Sequence, residues 1–239
     1  MMKNTQVSLL HFSELDSTNR FALEYEKPHH LLTVVADSQT SGRGRMGRSF
    51  FSPESGLYMS VILEPDKIKC PLTLCTPAAA LAVRKVLETE GIKGIKIKWV
   101  NDLLLEGKKV CGILTQAQSE NGKIGRIVVG IGINLCKGEY VFPEDIRDKA
   151  GCLNFRGDRL GLAECITAEL SRYICSDAAD ICREYNSHLA FIGEHTSVTD
   201  YADGNRKVSG ILLGADENCF LKLRTEDGRE RLISSGEIG

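Results

Sequence analysis

The chain has nine cysteines, Cys70, Cys75, Cys111, Cys136, Cys152, Cys165, Cys175, Cys182 and Cys219, but no Cys-x-x-Cys pair among them. An odd count without such pairs argues against a zinc site and against a secreted disulfide framework. Reduced, mostly buried thiols are the expectation. No apolar run approaches the roughly 18 residues that a spanning helix needs. Met1 to Gln6 shows no basic-then-apolar signal pattern. These absences predict a soluble, cytoplasmic protein. No Gly-x-x-x-x-Gly-Lys-Ser/Thr segment occurs, so a P-loop is excluded. The net charge of −2 excludes nucleic-acid binding by bulk electrostatics. Internal repeats and low-complexity linkers are absent too.

What remains is ordinary globular material. The 239 residues suit one large domain, or one with a small appendage. Hydrophobic residues make up 42% and charged residues 26%, enough for a core without metal or disulfide staples.

One stretch is not ordinary. Ser38-Gln-Thr-Ser-Gly-Arg-Gly-Arg-Met-Gly-Arg-Ser-Phe-Phe51 interleaves Gly42, Gly44 and Gly47 with Arg43, Arg45 and Arg48. Glycine lets backbone turn tightly and approach a ligand. Successive backbone N–H groups in such turns make concave anion sites. Arginine adds planar forks that suit phosphate and carboxylate. Core packing asks for none of this, so the loop reads as an anion holder rather than a merely solvated basic loop. Gly42-x-Gly44-x-x-Gly47 also fits a dinucleotide fingerprint, but that requires a helix directly after the glycines. Ser49-Phe-Phe-Ser-Pro-Glu-Ser-Gly56 is a poor helix start, which demotes a nicotinamide oxidoreductase.

The loop joins strand to strand, from Leu32–Ala36 to Gly56–Leu63. Ahead of it, Leu9–Leu15 reads as a strand, and Asp16-Ser17-Thr18-Asn19 offers caps for a short helix. Pro71 to Glu90 is helical by its apolar spacing, and Ile95–Trp99 is a strand. Hairpins follow around Gly107-Lys108 and Asn121-Gly122. Gly130 and Gly132, inside the apolar strand Ile127–Leu135, predict a close approach by a ligand or a neighbour. Gly138 to Gly157 is irregular. Leu162 to Tyr185 carries one long helical stripe with room for a kink near Asp177, and Cys165, Cys175 and Cys182 read as core within it. From Ala190 the pattern changes to short strands with frequent turns, a small β-barrel. We therefore expect an α+β chain: residues 1–189 form a mixed β-sheet domain with flanking helices, and residues 190–239 form the barrel.

Two further clusters support the loop. Lys98-Trp99-Val100-Asn101-Asp102 sets a cation, an indole, an amide and a carboxylate at a strand end. Lys109 and Gly112 return across the hairpin towards the same end. Arginines, a lysine, glycines and an acid able to hold magnesium suit a nucleoside triphosphate and a carboxylate substrate.

In these segments the chain resembles the biotin protein ligases. Gly42-Arg-Gly-Arg-Met-Gly-Arg48 is similar to their glycine–arginine motif, and Lys98-Trp-Val-Asn-Asp102 to their Lys-Trp-Pro-Asn-Asp motif. Ser17-Thr-Asn19, Lys109-Val-Cys-Gly-Ile-Leu114, Gly130-Ile-Gly-Ile-Asn134 and Ser235-Gly-Glu237 follow in the family's order. The resemblance covers nearly the whole chain. It implies that the catalytic domain carries an SH3-like barrel. It implies that ATP, with Mg2+, activates biotin as biotinyl-5′-adenylate for transfer to a lysine of a biotin carboxyl carrier protein. On this resemblance Arg43 and Lys109 are catalytic, set between carboxylate and α-phosphate. Ser17, Thr18, Gln39, Gly42, Arg43, Arg45, Lys109 and Gly112 bind biotin. Arg43, Arg45, Arg48, Phe50, Lys98, Asn101, Asp102 and Asn134 bind ATP or the adenylate, Asp102 holds magnesium, and Asn134 faces adenine.

There are departures. Val100 replaces the usual proline, and Phe50 stands where tryptophan is frequent. Gln116 sits where an acid is sometimes found and is assigned no role. The pattern starts near Leu9 and leaves no room for the helix-turn-helix of repressor members, so a ligase without nucleic-acid binding is expected, as monomer or homodimer. The nearest rival is a lipoate ligase, which shares the fold; the glycine–arginine loop favours biotin. A non-catalytic biotinyl-adenylate-binding protein is the rival from another class. We expect the loop to be mobile when empty, because its charges have no evident local partners.

Overall fold

A computed structural model describes residues 7–136 and 141–239. Strands β1 (Ser8–Leu15), β2 (Leu32–Gln39), β3 (Leu57–Leu63), β4 (Lys96–Lys98), β5 (Asp102–Leu105), β6 (Lys108–Glu120) and β7 (Lys123–Ile133) form a seven-stranded sheet. Its order is β1-β2-β3-β7-β6-β5-β4. Only β1 and β2 run parallel; the other neighbours are antiparallel, as tight hairpins require. The turns use the predicted residues: Gly107 and Gly122 both have positive φ.

Side-chain alternation loads both faces of the sheet. In β2, Leu32 and Val34 join Ala22 of helix α1 (Thr18–Glu24), Ile62 and Val128 on one side. Val35 faces the opposite core, built on α2 (Cys75–Thr89) and α3 (Arg159–Tyr173). In α2, Ala78, Leu81 and Ala82 are fully buried. Each such leucine contributes roughly 1.5–3 kcal/mol by leaving water. The polar pair Thr33–Thr167 crosses this core as a hydroxyl–hydroxyl bond of 2.9 Å.

The stripe predicted as one kinked helix is two helices. α3 ends at Tyr173, and α4 (Ala178–Ser187) starts after Asp177, which has extended backbone (ψ 140°). Cys182 is buried, but Cys165 and Cys175 are exposed rather than core. The expectation of thiols throughout also fails. Cys136 and Cys152 are disulfide-bonded, with Cα atoms 5.5 Å apart, a separation that suits the bond. Cys136 lies three residues beyond β7, and Cys152 follows a stretch that runs beside Lys109, whose N–H donates to Lys149 O and whose carbonyl accepts from Gly151 N–H. Within the segment expected to be irregular, residues 141–157 carry neither helix nor extended strand, and Gly138 to Tyr140 lie outside the described residues.

The C-terminal segment forms a second, five-stranded antiparallel sheet. Its strands are β8 (His195–Asp200), β9 (Arg206–Ala215), β10 (Leu221–Arg224), β11 (Glu230–Ile233) and β12 (Gly236–Ile238), in the order β11-β10-β9-β8-β12. This is the expected α+β arrangement, with a large mixed sheet followed by a small β unit. Buried bonds join the two. Trp99 Nε1 donates to Cys219 O at 2.9 Å, and Asn186 bonds the backbone of Ala215 through both amide atoms.

Candidate functional site

A cleft of about 860 Å³, including its open mouth, lies over β6 and β7, between α1, the glycine–arginine loop and β12. Its floor is neutral and polar. Ser17 caps α1 and, like Thr18 and Asn19, is almost fully buried. Gln39, at the end of β2, accepts from the Thr18 N–H at 2.8 Å through Oε1 and donates to Ser52 Oγ at 2.9 Å. Ser52 donates onward to Phe50 O. Ser60 of β3 lies 2.8 Å from Thr18 Oγ1 and 2.6 Å from Asn19 Oδ1. Asn19 Nδ2 donates to Leu114 O and Gln116 Oε1. Asn19 fits only because β7 has no side chain at residue 130: a Cβ there would lie 2.0 Å from its Oδ1.

The loop closes on itself. Phe50 N–H donates to Gly42 O and Gly44 N–H to Arg48 O, while Met46 (φ 57°) and Gly47 (φ 74°) make the tight reversal. No α-helix follows Gly47, which removes the dinucleotide reading. The phenyl ring of Phe50 rests on two glycines, where added Cβ atoms would approach it to 2.9 Å at Gly112 and 2.5 Å at Gly132. The close approach predicted for Gly130 and Gly132 is thus made by Asn19 and Phe50.

The loop's charges do find partners, contrary to expectation, because β12 lies alongside. Arg45 Nη1 donates to Asn101 Oδ1 at 3.1 Å and to Gly236 O at 3.2 Å. Arg48 pairs with both carboxylate oxygens of Glu237, and Tyr201 OH donates to Glu237 at 2.8 Å. Hydrogen bonds from Arg48, helped by Tyr201, hold the Glu237 carboxyl down at about 2. Arg43 differs. It is exposed at the cleft and has no hydrogen-bond or ion-pair partner among the described residues.

The far wall carries the other cations. Lys109 Nζ lies 2.7 Å from Asp102 Oδ1 and 5.8 Å from the centre of the Phe50 ring. The Lys109–Asp102 contact is an ion pair without hydrogen-bond alignment, so this buried Oδ1 lacks an aligned donor. Burial pushes the Lys98 ammonium below its ordinary value, with Asp102 and Glu237 opposing. Asn101 is fixed by donation to Ile113 O. The Trp99–Val100 peptide is cis, and Val100 O accepts from the buried Tyr185 hydroxyl.

The cleft therefore brings together Ser17, Thr18, Gln39, Arg43, Arg45, Arg48, Phe50, Lys98, Asn101, Asp102, Lys109 and Gly112. Two candidates stand outside the lining. Gly42 is buried behind the loop, where a Cβ would meet Phe50 O and Ser52 Oγ. Asn134 Nδ2 donates to Lys109 O and Gly151 O, which anchors the Lys109 backbone. Sequence reasoning missed Tyr201 and gave Glu237 no role, although Ser235-Gly-Glu237 had been noticed. It also passed over Ser60, whose one signal was a small polar side chain within Leu-Tyr-Met-Ser-Val-Ile-Leu.

A basic ribbon over a neutral floor, with lysines at its end, defines a class of proteins that seat a small carboxylic acid against a polyanion. The comparisons specify the class. The profile of the biotin/lipoate A/B protein ligase family matches residues 12–134, and that of the biotin protein ligase C-terminal domain matches residues 191–238. The bifunctional ligase/repressor BirA of Bacillus subtilis is 34% identical over 97% of this chain and 74% of its own length. A biotin–[acetyl-CoA-carboxylase] ligase of Paracoccus denitrificans is 34% identical over about half of each protein. The structure of the Aquifex aeolicus biotin protein ligase in complex with biotin and ATP superposes with a TM-score of 0.84 at 30% identity, covering 97% of each chain. The chain belongs to the biotin/lipoate protein ligase family, with the C-terminal domain of its biotin branch.

Proposed function

We propose that the protein is a biotin protein ligase. It joins biotin and ATP to give biotinyl-5′-adenylate and pyrophosphate, then passes the biotinyl group to a lysine of a biotin carboxyl carrier protein. The observation that carries this reading is Arg43, without a side-chain partner among the described residues, set with Arg45 and Lys109 around one cleft whose floor is neutral and hydrogen-bonded. Two anions must meet in the first step, and cations between them lower its barrier. A biotin carboxylate oxygen attacks the α-phosphorus, and the bond to the pyrophosphate oxygen breaks. Arg43 and Lys109 flank the two reacting groups. Arg45, held by Asn101 and the Gly236 carbonyl, orders the ribbon.

The cyclic urea of biotin lies on Thr18 and Gln39, with Ser17 and Gly112 beside it. The triphosphate runs towards Arg48, Lys98, Asn101 and Asp102, and Phe50 offers a ring to stack on adenine. Asp102 fits magnesium. Its buried Oδ1 lacks an aligned donor, and one carboxylate plus phosphates is a common magnesium set. Bound there, the ion would offset phosphate charge. In the second step the carrier amine attacks the acyl carbon, AMP leaves, and the amine loses its proton. Most of the gain comes from positioning.

Among the described residues no helix is long and apolar enough to cross a membrane. A cytoplasmic site of action is consistent with seven free cysteines among the described residues. The test is pyrophosphate exchange into ATP with biotin or lipoate as acid, followed by mass spectrometry of a carrier domain. Exchange with biotin and a carrier mass gain of one biotinyl group are expected. Exchange with lipoate alone would move the protein to the other branch of the family.

A further inference from the structure

Hydrogen-bond bookkeeping beneath the cleft fixes which way one hydroxyl points. Asn19 Nδ2 faces the Leu114 carbonyl at 3.2 Å, and a carbonyl only accepts. The amide is therefore oriented with Oδ1 towards Ser60, 2.6 Å away. Oδ1 cannot donate, so the single Ser60 proton goes to it. Ser60 is completely buried and Asn19 nearly so, so two lone pairs facing each other there would carry the full cost of an unmade bond. The 2.8 Å contact between Ser60 and Thr18 must then be donated by Thr18. The other acceptor within reach, Gln39 Oε1 at 3.2 Å, is also fixed, because its partner is the Thr18 backbone N–H. In either case the Thr18 proton is used inside the protein, which leaves the hydroxyl oxygen of this cleft-lining residue with acceptor capacity only.

We propose that Ser60 and Asn19 are positioning residues that make Thr18 a hydrogen-bond acceptor, and so select ligands that present an N–H at that point. The inference rests on the biotin reading above, in which a urea N–H meets Thr18. Neither residue needs to touch the reacting atoms. Their effect is on recognition, since a site whose buried polar groups are committed rejects a ligand of the wrong polarity.

The test uses biotin and its two carbamate analogues, in which one or the other urea N–H is replaced by oxygen. Dissociation constants are measured by calorimetry for the wild-type chain, Ser60→Ala, Ser60→Thr and Asn19→Ala. The wild-type chain should bind one analogue about 100-fold more weakly than biotin. In Ser60→Ala the Thr18 proton is released from its main acceptor and can turn to the analogue, so the ratio should fall below roughly tenfold. Asn19→Ala should do the same by freeing the Ser60 proton, and Ser60→Thr should keep the wild-type ratio. With ATP saturating and biotin varied, KM for biotin should rise in Ser60→Ala while kcat holds. An unchanged ratio in both alanine variants, with biotin still bound, overturns the inference and leaves the ligase reading intact. Wild-type protein that binds no biotin overturns the ligase reading instead. If Ser60→Ala does not fold, Asn19→Ala decides alone.

Discussion

The floor of the cleft and the ribbon above it are built by opposite means. The floor consists of neutral groups, almost all buried, each held by a neighbour from a different element: Thr18 by Gln39, Asn19 by β6, and Ser60 by Thr18 and Asn19 of α1. The ribbon is exposed and charged, and is held at its outer edge by β12 through Arg45 and Arg48. The floor resembles a core with polar contents: its geometry is set before any ligand arrives. The ribbon keeps one charge, Arg43, unspent. A rigid neutral surface reads shape and polarity; a charge without a protein partner can be committed to an anion. On the proposed reading the same molecule separates recognition of the acid from neutralisation of its reaction.

That contrast can be broken at several points. Lys109→Ala removes a wall cation and leaves the buried Asp102 carboxylate alone. Adenylate formation, followed by pyrophosphate exchange, should fall on the order of 100- to 1,000-fold. Lys109 is partly exposed, so thermal unfolding should show a loss of only about 1–2 kcal/mol.

Gly130→Ala attacks the floor without touching any charge, since its Cβ would meet Asn19 Oδ1. Asn19 must move, and the Ser60–Thr18 arrangement with it. Biotin affinity by calorimetry should weaken about tenfold to 100-fold, roughly the cost of one buried bond left unmade. ATP binding without biotin should be little changed. Equal losses for both ligands would erase the division between floor and ribbon.

Glu237→Gln loosens the ribbon's outer edge and should raise KM for ATP about threefold, a modest effect because the pair is solvent-exposed. The same variant has a pH signature. In the folded protein the Glu237 carboxyl sits at about 2 instead of 4.5, chiefly through Arg48. A depressed carboxylate contributes stability that is complete above pH 4.5 and is lost as pH falls towards 2. Glu237→Gln should therefore flatten the fall of stability in that window, starting from a slightly lower plateau at neutral pH. Urea melts of both proteins across the window would show it.

Local chemistry made much of this legible beforehand. Alternation and the turns at Gly107 and Gly122 gave the strands, and the glycine–arginine run marked the ribbon. Gly130 and Gly132 announced close packing without saying by what. What stayed hidden depends on distant pairing. Arg45 and Gly236 are separated by 191 residues, and nothing near either names the other. The resemblance sets Asn134 against adenine, and nothing local reveals that its Nδ2 reaches the Lys109 and Gly151 carbonyls. The Cys136–Cys152 bond was invisible for the same reason, because spacing alone does not bring two thiols together. The helical stripe through Asp177 reads as one helix with room for a kink, because periodicity records which face is apolar, not whether the backbone between two helices stays helical.

The most direct measurement of the central claim is biotin-dependent pyrophosphate exchange by Arg43→Ala, alongside its melting temperature. With no side-chain partner for Arg43 among the described residues, the variant should melt like the wild type while exchange drops on the order of 100-fold or more. Exchange at the wild-type rate in a folded Arg43→Ala protein would contradict the account.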